Sequence, residues 1–201
     1  MQKVGDWYVP FDNKITRRNI DTAGKYYHCR PYIRAGDLAL DCGAFIGAWT
    51  KELQKDFKRV VAVEMDPDNA ECVRKNCPDA EVIQGALDCE KRKVFYSPDE
   101  FDISPIYRVD CIGKKFTQSI IIDELDLTPN FIKMDLQGFE TAALQGAIET
   151  LKRAKPILFL EHLPKCYTRY GLDGSELPEL LSGLGAIEVM ILGSDRIWGW
   201  A

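Results

Sequence analysis

Leu38-Ala39-Leu40-Asp41-Cys42-Gly43-Ala44-Phe45-Ile46-Gly47-Ala48-Trp49-Thr50 is the stretch from which the fold can be read. A short apolar run leads into a turn bounded by two glycines, and then into a helix whose Trp49 and Leu53 lie one turn apart. Strand, turn and helix in this order form the opening unit of an α/β sheet, where strand ends and helix N-termini face a common crevice. Gly43 and Gly47 let the backbone pass close to a ligand where a Cβ would collide. Asp41, at the carboxyl end of the strand, would repel a diphosphate and suits a ligand carrying an ammonium group. The spacing G-x-x-x-G also departs from the G-x-G-x-x-G of dinucleotide sites, which weakens a nicotinamide-dependent oxidoreductase reading.

Working outward, Arg59-Val60-Val61-Ala62-Val63-Glu64 reads as a second buried parallel strand. Asp66 is placed to cap the next helix and Pro67 to begin it, with the helix ending near Asn76, before Pro78. An acid closing the second strand, about 20 residues beyond a glycine turn, is positioned to accept hydrogen bonds from ribose hydroxyls. Asp41 and Glu64 together therefore point to a nucleoside-containing ligand. Residues 81–87 give a third strand whose end would lie along an adenine ring, with Asp88 either reaching the exocyclic amine or standing as a solvated turn acid. Residues 88–128 interrupt the alternation: 93–96 and 116–121 look like two strands flanking a Pro/Ser/Asp-rich loop, an antiparallel hairpin or small flap. Asp102, Tyr107, Arg108 and Asp110 in that loop are candidate acceptor contacts.

The second informative stretch is Asn130-Phe131-Ile132-Lys133-Met134-Asp135-Leu136-Gln137-Gly138-Phe139-Glu140. Strand alternation puts Lys133 and Asp135 on one face, emerging beside the end of the first strand. Phe139, Ala142, Ala143, Gly146 and Ala147 then mark one face of a following helix. Residues 155–162 form a fifth strand ending on Glu161 and His162, residues 177–184 a helix, and 187–192 with 196–200 a terminal hairpin. Residues 1–36 are polar and aromatic, with a weakly periodic helix over 16–27; they read as a lid or acceptor wall, or as a segment packed over the sheet edge.

A chain of 201 residues fits one domain with a core large enough to stand without disulfides. Its net charge of −5 argues against a duplex nucleic-acid partner. The seven cysteines include no C-x-x-C pair, which disfavours structural zinc and suits a reducing compartment. With no signal-peptide pattern and no apolar run of membrane-spanning length, a cytoplasmic protein without a membrane partner is expected.

Asp41 followed by Gly43-x-x-x-Gly47 resembles the first motif of S-adenosylmethionine (AdoMet) dependent methyltransferases with a Rossmann-like core. Lys133-Met134-Asp135-Leu136-Gln137-Gly138-Phe139-Glu140, followed by Leu144-x-Gly146-Ala147, resembles the signature of their FkbM family. Ile122-Asp123-Glu124-Leu125 and the run from Pro156 to His162 are similar to that family as well, so the resemblance spans residues 38–165. The family usually has Asn where this chain has Phe45, and Glu where it has Gln137. The resemblance implies an α/β, Rossmann-like methyltransferase fold: a mostly parallel seven-stranded sheet with helices on both faces, an antiparallel C-terminal hairpin and the β-hairpin insertion over 88–128.

It also implies AdoMet as donor, leaving S-adenosylhomocysteine (SAH), with Asp41, Gly43, Ala44, Phe45, Gly47, Thr50, Glu64, Met65, Gly85, Ala86, Leu87 and Asp135 as its contacts. Methyl transfer from a sulfonium is an in-line displacement, so alignment of donor and acceptor carries much of the catalysis. A hydroxyl acceptor gains further from a base, for which Asp135, Glu161 and His162 are candidates. Lys133 would lower the acceptor pKa or neutralise an acidic substrate, or else pair with Asp135 to brace the sheet end. A divalent metal shared by Asp135, Glu161 and His162 would fit oxygen methylation but is not required by it. No [Asn/Asp]-Pro-Pro-[Tyr/Phe] and no Pro-Cys follows the fourth strand, which disfavours methylation of planar amino groups and of cytosine C5. The expectation is O-methylation of a small molecule or a sugar or glycan hydroxyl. A ribose 2′-O-methyltransferase of RNA and a catalytically weakened AdoMet-binding module are the alternatives. The sequence leaves acceptor identity and oligomeric state open.

Overall fold

The chain opens with a hairpin of β1 (Gln2–Val4) and β2 (Trp7–Val9), then α1 (Lys14–Thr22) and 3-10 turns that continue to Tyr32. The computed structural model describes residues 1–12, 14–33, 36–98, 107–110 and 115–201. The expected strand–turn–helix follows as β3 (Leu38–Cys42) and α2 (Ala48–Leu53). Next come β4 (Arg59–Glu64), α3 (Pro67–Asn76) and β5 (Glu81–Gln84). Every residue of β3 is buried, as is β4 beyond Arg59, which is why both read as unbroken apolar runs. Asp66 caps α3 by accepting the N–H groups of Asp68 and Asn69.

The third strand is shorter than its sequence suggests. β5 stops at Gln84, and Ala86–Leu87 forms β6 in a different sheet. The break falls at Gly85, where the Ile120 side chain and the Gln118 carbonyl occupy the space a Cβ would need. In place of a two-stranded hairpin, β7 (Lys93–Pro98), β8 (Tyr107–Asp110) and β9 (Lys115–Ile120) join β6 in a four-stranded sheet, ordered β6-β9-β7-β8. β7 pairs antiparallel on both sides, and β6 runs parallel to β9. Of the loop candidates, Asp102 lies outside the described residues, and Tyr107, Arg108 and Asp110 are strand positions of β8.

β10 (Phe131–Met134) returns to the main sheet. The helix expected across 139–147 is two helices, α4 (Glu140–Gln145) and α5 (Ile148–Ala154). They part at Gly146, which is seated against the Asp88 carbonyl with no room for a side chain. β11 (Ile157–Glu161), α6 (Pro164–Tyr167), α7 (Glu176–Gly183) and the hairpin of β12 (Ala186–Leu192) and β13 (Asp195–Trp200) complete the chain. The seven strands are ordered β12-β13-β11-β10-β3-β4-β5, with β13 antiparallel to both its neighbours and the other pairs parallel. This is the seven-stranded, mostly parallel sheet with an antiparallel C-terminal hairpin that the sequence implies.

Strand order reverses between β3 and β10, so a crevice opens at their carboxyl ends. One side of the sheet packs Leu40, Ile132, Met134, Leu144, Leu158 and Leu160. The other side packs an aromatic group in which Tyr26 meets Trp49, Phe57 and Phe131. Tyr26 belongs to the N-terminal segment, which is therefore fastened over the sheet rather than hinged beside it. Among the described residues no helix is long and apolar enough to cross a membrane, and the six described cysteines are free thiols.

Candidate active site

At the end of β3 the backbone turns through two left-handed residues, Gly43 (φ +76°) and Phe45 (φ +53°). The N–H groups of Gly43 and Ala44 donate to the Val63 carbonyl at 2.9 and 3.1 Å, and that of Phe45 donates to Glu64 Oε2 at 2.8 Å. The turn is thus tied to the end of β4. A Cβ on Gly43 would run into the Asp135 carbonyl, and one on Gly47 would press on Cys77 Sγ at 3.0 Å. The close approaches these glycines permit are to the protein's own backbone and to α3, while Gly43 also lines the cleft described next.

Two cavities meet at this point. The first is an apolar cleft, lined by Gly43, Ala44, Phe45, Glu64, Met65, Gly85, Ala86, Leu87 and Asp135 among the sequence-predicted contacts. Leu136 and Phe139, read from sequence as motif and helix-face residues, supply further apolar wall, and Asn19 reaches it from α1. The open space in the cleft is about 90 Å³, below the roughly 300 Å³ usual for small-molecule sites. A nucleoside therefore enters only as lining side chains give way. Glu64 closes one end, with Oε1 accepting the Asp66 N–H at 3.0 Å. Burial pushes its carboxyl up to about 7 despite the two backbone hydrogen bonds that favour the charged form.

Asp41, Gly47 and Thr50 do not line the cleft. Asp41 is fully buried behind it; Oδ2 accepts the Thr50 hydroxyl at 2.6 Å, and Oδ1 lies 3.2 Å from Lys133 Nζ. That second contact is an ion pair without hydrogen-bond alignment, since Oδ1 accepts no hydrogen bond. Lys133 thus pairs with Asp41, its register neighbour across β3 and β10, and not with Asp135. Its ammonium also donates to the carbonyls of Gly43 at 2.6 Å and Cys42 at 3.3 Å. Burial opposes its charge, but Asp41 and Asp135 outweigh that and hold its pKa above the ordinary lysine value.

The second cavity, about 430 Å³ and polar, shares Asn19, Trp49, Lys133, Asp135 and Gln137 with the first. Glu161 and Asp195 project into it from the strand ends, and α1 adds Arg18 and Thr22. Gln137, itself left-handed at φ +58°, places its amide between two acids: Nε2 donates to Asp135 Oδ1 at 2.8 Å and to Glu161 Oε2 at 3.2 Å. Burial, and then the neighbouring Asp135, push the Glu161 carboxyl up to about 10. Glu140, which sequence reading left without a role, is fully buried nearby and accepts the Leu136 N–H at 2.6 Å. Asp135, Glu140 and Glu161 offer ligand atoms within 4.8 Å of one another, so this trio, and not one containing His162, is the acidic group a cation could address.

His162 lines neither cavity. Its Nε2 lies 2.7 Å from the Gly174 carbonyl and its backbone N–H donates to Ser194. That contact sets the ring against the loop before α7.

A family model of the methyltransferase FkbM domain matches residues 41–185. No curated protein matches the sequence. Among solved structures the chain is similar to a methyltransferase FkbM from Methylobacillus flagellatus, with 18% identity and a TM-score of 0.55 over 82% of this chain and 44% of that one. This chain thus spans less than half the length of that protein. It is also similar to a TehB-like SAM-dependent methyltransferase from Corynebacterium glutamicum (16% identity, TM-score 0.55, 93% and 95% covered). A third likeness is to the magnesium protoporphyrin IX methyltransferase of Synechocystis PCC 6803, solved with SAH bound (9% identity, TM-score 0.57, 98% and 91% covered). At these identities the structural likeness is one of fold.

Proposed function

The chain belongs to the FkbM methyltransferase family, and from that premise we propose that it moves a methyl group from AdoMet to a hydroxyl of a small molecule or glycan. The observation that carries this reading is the junction of an apolar cleft and a polar cavity at Lys133, Asp135 and Gln137. Once its side chains give way, the cleft's lining suits the donor: Ala44, Leu87, Leu136 and Phe139 offer apolar wall for a base, and Glu64 offers carboxylate oxygens to ribose hydroxyls. When bound, AdoMet supplies an electrophilic methyl on a sulfonium.

What the chain itself contributes is position and a proton acceptor. Asp135 is the carboxylate that lines both cavities, and so is the group placed to take the acceptor's proton. Glu161 holds its own proton near neutral pH and serves as a neutral hydrogen-bonding wall. Lys133, anchored on Asp41 and the Gly43 carbonyl, sets a fixed positive charge beside Asp135 and braces the turn that frames the cleft. Asp41 acts through Lys133 as a positioning residue.

The test is calorimetric titration with SAH, followed by methyl transfer from AdoMet to a panel of hydroxyl compounds. Micromolar SAH binding, weakened about tenfold (roughly 1.4 kcal/mol) by Glu64→Ala, is the expected result. Well-folded protein that takes up neither SAH nor AdoMet would overturn the reading.

A further inference from the structure

We propose that Gln137 is a positioning residue of the transfer site: its side-chain amide stands where a divalent cation would otherwise lie among Asp135, Glu140 and Glu161, and holds Asp135 beside Glu161 without one. The bearing of this on methyl transfer rests on the preceding reading, in which Asp135 takes the acceptor's proton.

Three elements bring their ends together at this point. Asp135 follows β10, Glu140 opens α4 and Glu161 closes β11. β10 and β11 are parallel neighbours, and Asp135 and Glu161 each come one residue after the register pair Met134–Leu160. The three acids offer oxygens within 4.8 Å of one another. Carboxylates at that range repel, and the repulsion is answered by a proton, a cation or a hydrogen-bond donor. A set of oxygen ligands is also what Mg²⁺ and Mn²⁺ take.

The chain supplies a donor of its own. Gln137 Nε2 lies 2.8 Å from Asp135 Oδ1 and 3.2 Å from Glu161 Oε2, and donates to both. An amide nitrogen carries two hydrogens and only donates, so a cation placed between those two oxygens would meet N–H groups. One neutral side chain thus links the two acids as a bridging ion would, and fixes the Asp135 carboxyl in one orientation.

The backbone is built for this placement. Gln137 and Gly138 are consecutive left-handed residues, at φ +58° and +97°. That conformation is strained for a residue with a Cβ and persists where its surroundings impose it. Here Gly138 is seated against the Cys166 carbonyl of α6 with no room for a side chain, and the Leu136 N–H is held by Glu140 Oε1 at 2.6 Å. Gln137 is pinned on both sides, and its side chain lines both cavities.

The experiment titrates Mn²⁺ by calorimetry into the full chain as wild type, as the donor-free variants Gln137→Met and Gln137→Leu, and as Gln137→Met/Asp135→Asn. Near-UV circular dichroism identifies the folded variants, and SAH binding is measured on each. Either donor-free variant is expected to bind Mn²⁺ at least about tenfold tighter than wild type (roughly 1.4 kcal/mol). Adding Asp135→Asn is expected to erase that gain, which locates the ion among the three acids. Surface sites shared by all four proteins cancel, and a merely structural defect does not raise affinity for an ion. Wild type that binds Mn²⁺ as tightly as the donor-free variants, or a gain that survives Asp135→Asn, overturns the proposal. Wild type that takes up no SAH overturns the methyltransferase reading beneath it, whichever way the Mn²⁺ titrations fall.

Discussion

Lys133 Nζ and Asp41 Oδ1 face each other at 3.2 Å across the β3–β10 pairing, with side-chain exposures of 5% and 0%. Removing either partner leaves the other charge buried and unanswered, which typically costs about 3–5 kcal/mol. Asp41→Asn and Lys133→Met are each expected to lower the free energy of urea unfolding by that order. The double variant should lose clearly less than the two losses added, because no lone charge is left. Strict additivity would show that the pair is not coupled.

Glu64 should make donor binding sensitive to pH. Its carboxyl titrates at about 7 in the fold, and the ionised form is the stronger acceptor for ribose hydroxyls. SAH affinity is therefore expected to rise several-fold between about pH 6 and about pH 8 and then level off. Glu64→Gln should bind more weakly and lose that dependence. Stability has the opposite sign: the folded value lies above the ordinary 4.5, so the residue's contribution is complete below that value and is lost as pH rises through about 7. Calorimetry and urea unfolding, each run across this range, check the two slopes.

The two acids bridged by Gln137 should respond differently to amide substitution. Glu161→Gln replaces a group that is already neutral near pH 7 and is expected to change turnover by less than about threefold. Asp135→Asn removes the proton acceptor and should lower kcat by about 10² to 10⁴. Equal losses from the two would place the base elsewhere.

Gly43 combines a left-handed backbone with a carbonyl pressed against its α-carbon. Gly43→Ala must therefore shift the β3 turn away from β10 or strain it in place. A destabilisation of at least about 2 kcal/mol is expected, read as a melting temperature lower by roughly 4–8 °C. SAH binding should weaken with it, since the turn frames the donor cleft.

Much of this architecture is legible without coordinates. β3, β4, β10 and β11 are covered on both faces, so their runs are continuously apolar, and the acids that end them stand out. The helix cap at Asp66 is written in the local order of residues. Both positions where the chain departs from the FkbM pattern, Phe45 and Gln137, prove to be left-handed residues at the site, a backbone property that side-chain pattern does not reveal. Gly85 and Gly146 carry no mark that tells a tolerated glycine from a break; the break arises because Ile120 and Asp88, far along the chain, fill the missing Cβ.

The positions of β3, β4, β10 and β11, and the family to which the chain belongs, were legible in the sequence alone, because apolar runs, turns and motif spacing are local properties. Which side chain answers which was decided only by the tertiary structure. Asp41 stands near a strand end as its local sequence indicates, but pairing register, a relation between residues 92 apart in the chain, sets it against Lys133 behind the cleft. His162 follows Glu161 in the chain, yet contact with Gly174 turns its ring from the cavity that Glu161 enters. Arg18 and Lys165 line that same cavity only because α1 and α6 fold over the same strand ends, and the order of residues along a chain does not record such a meeting.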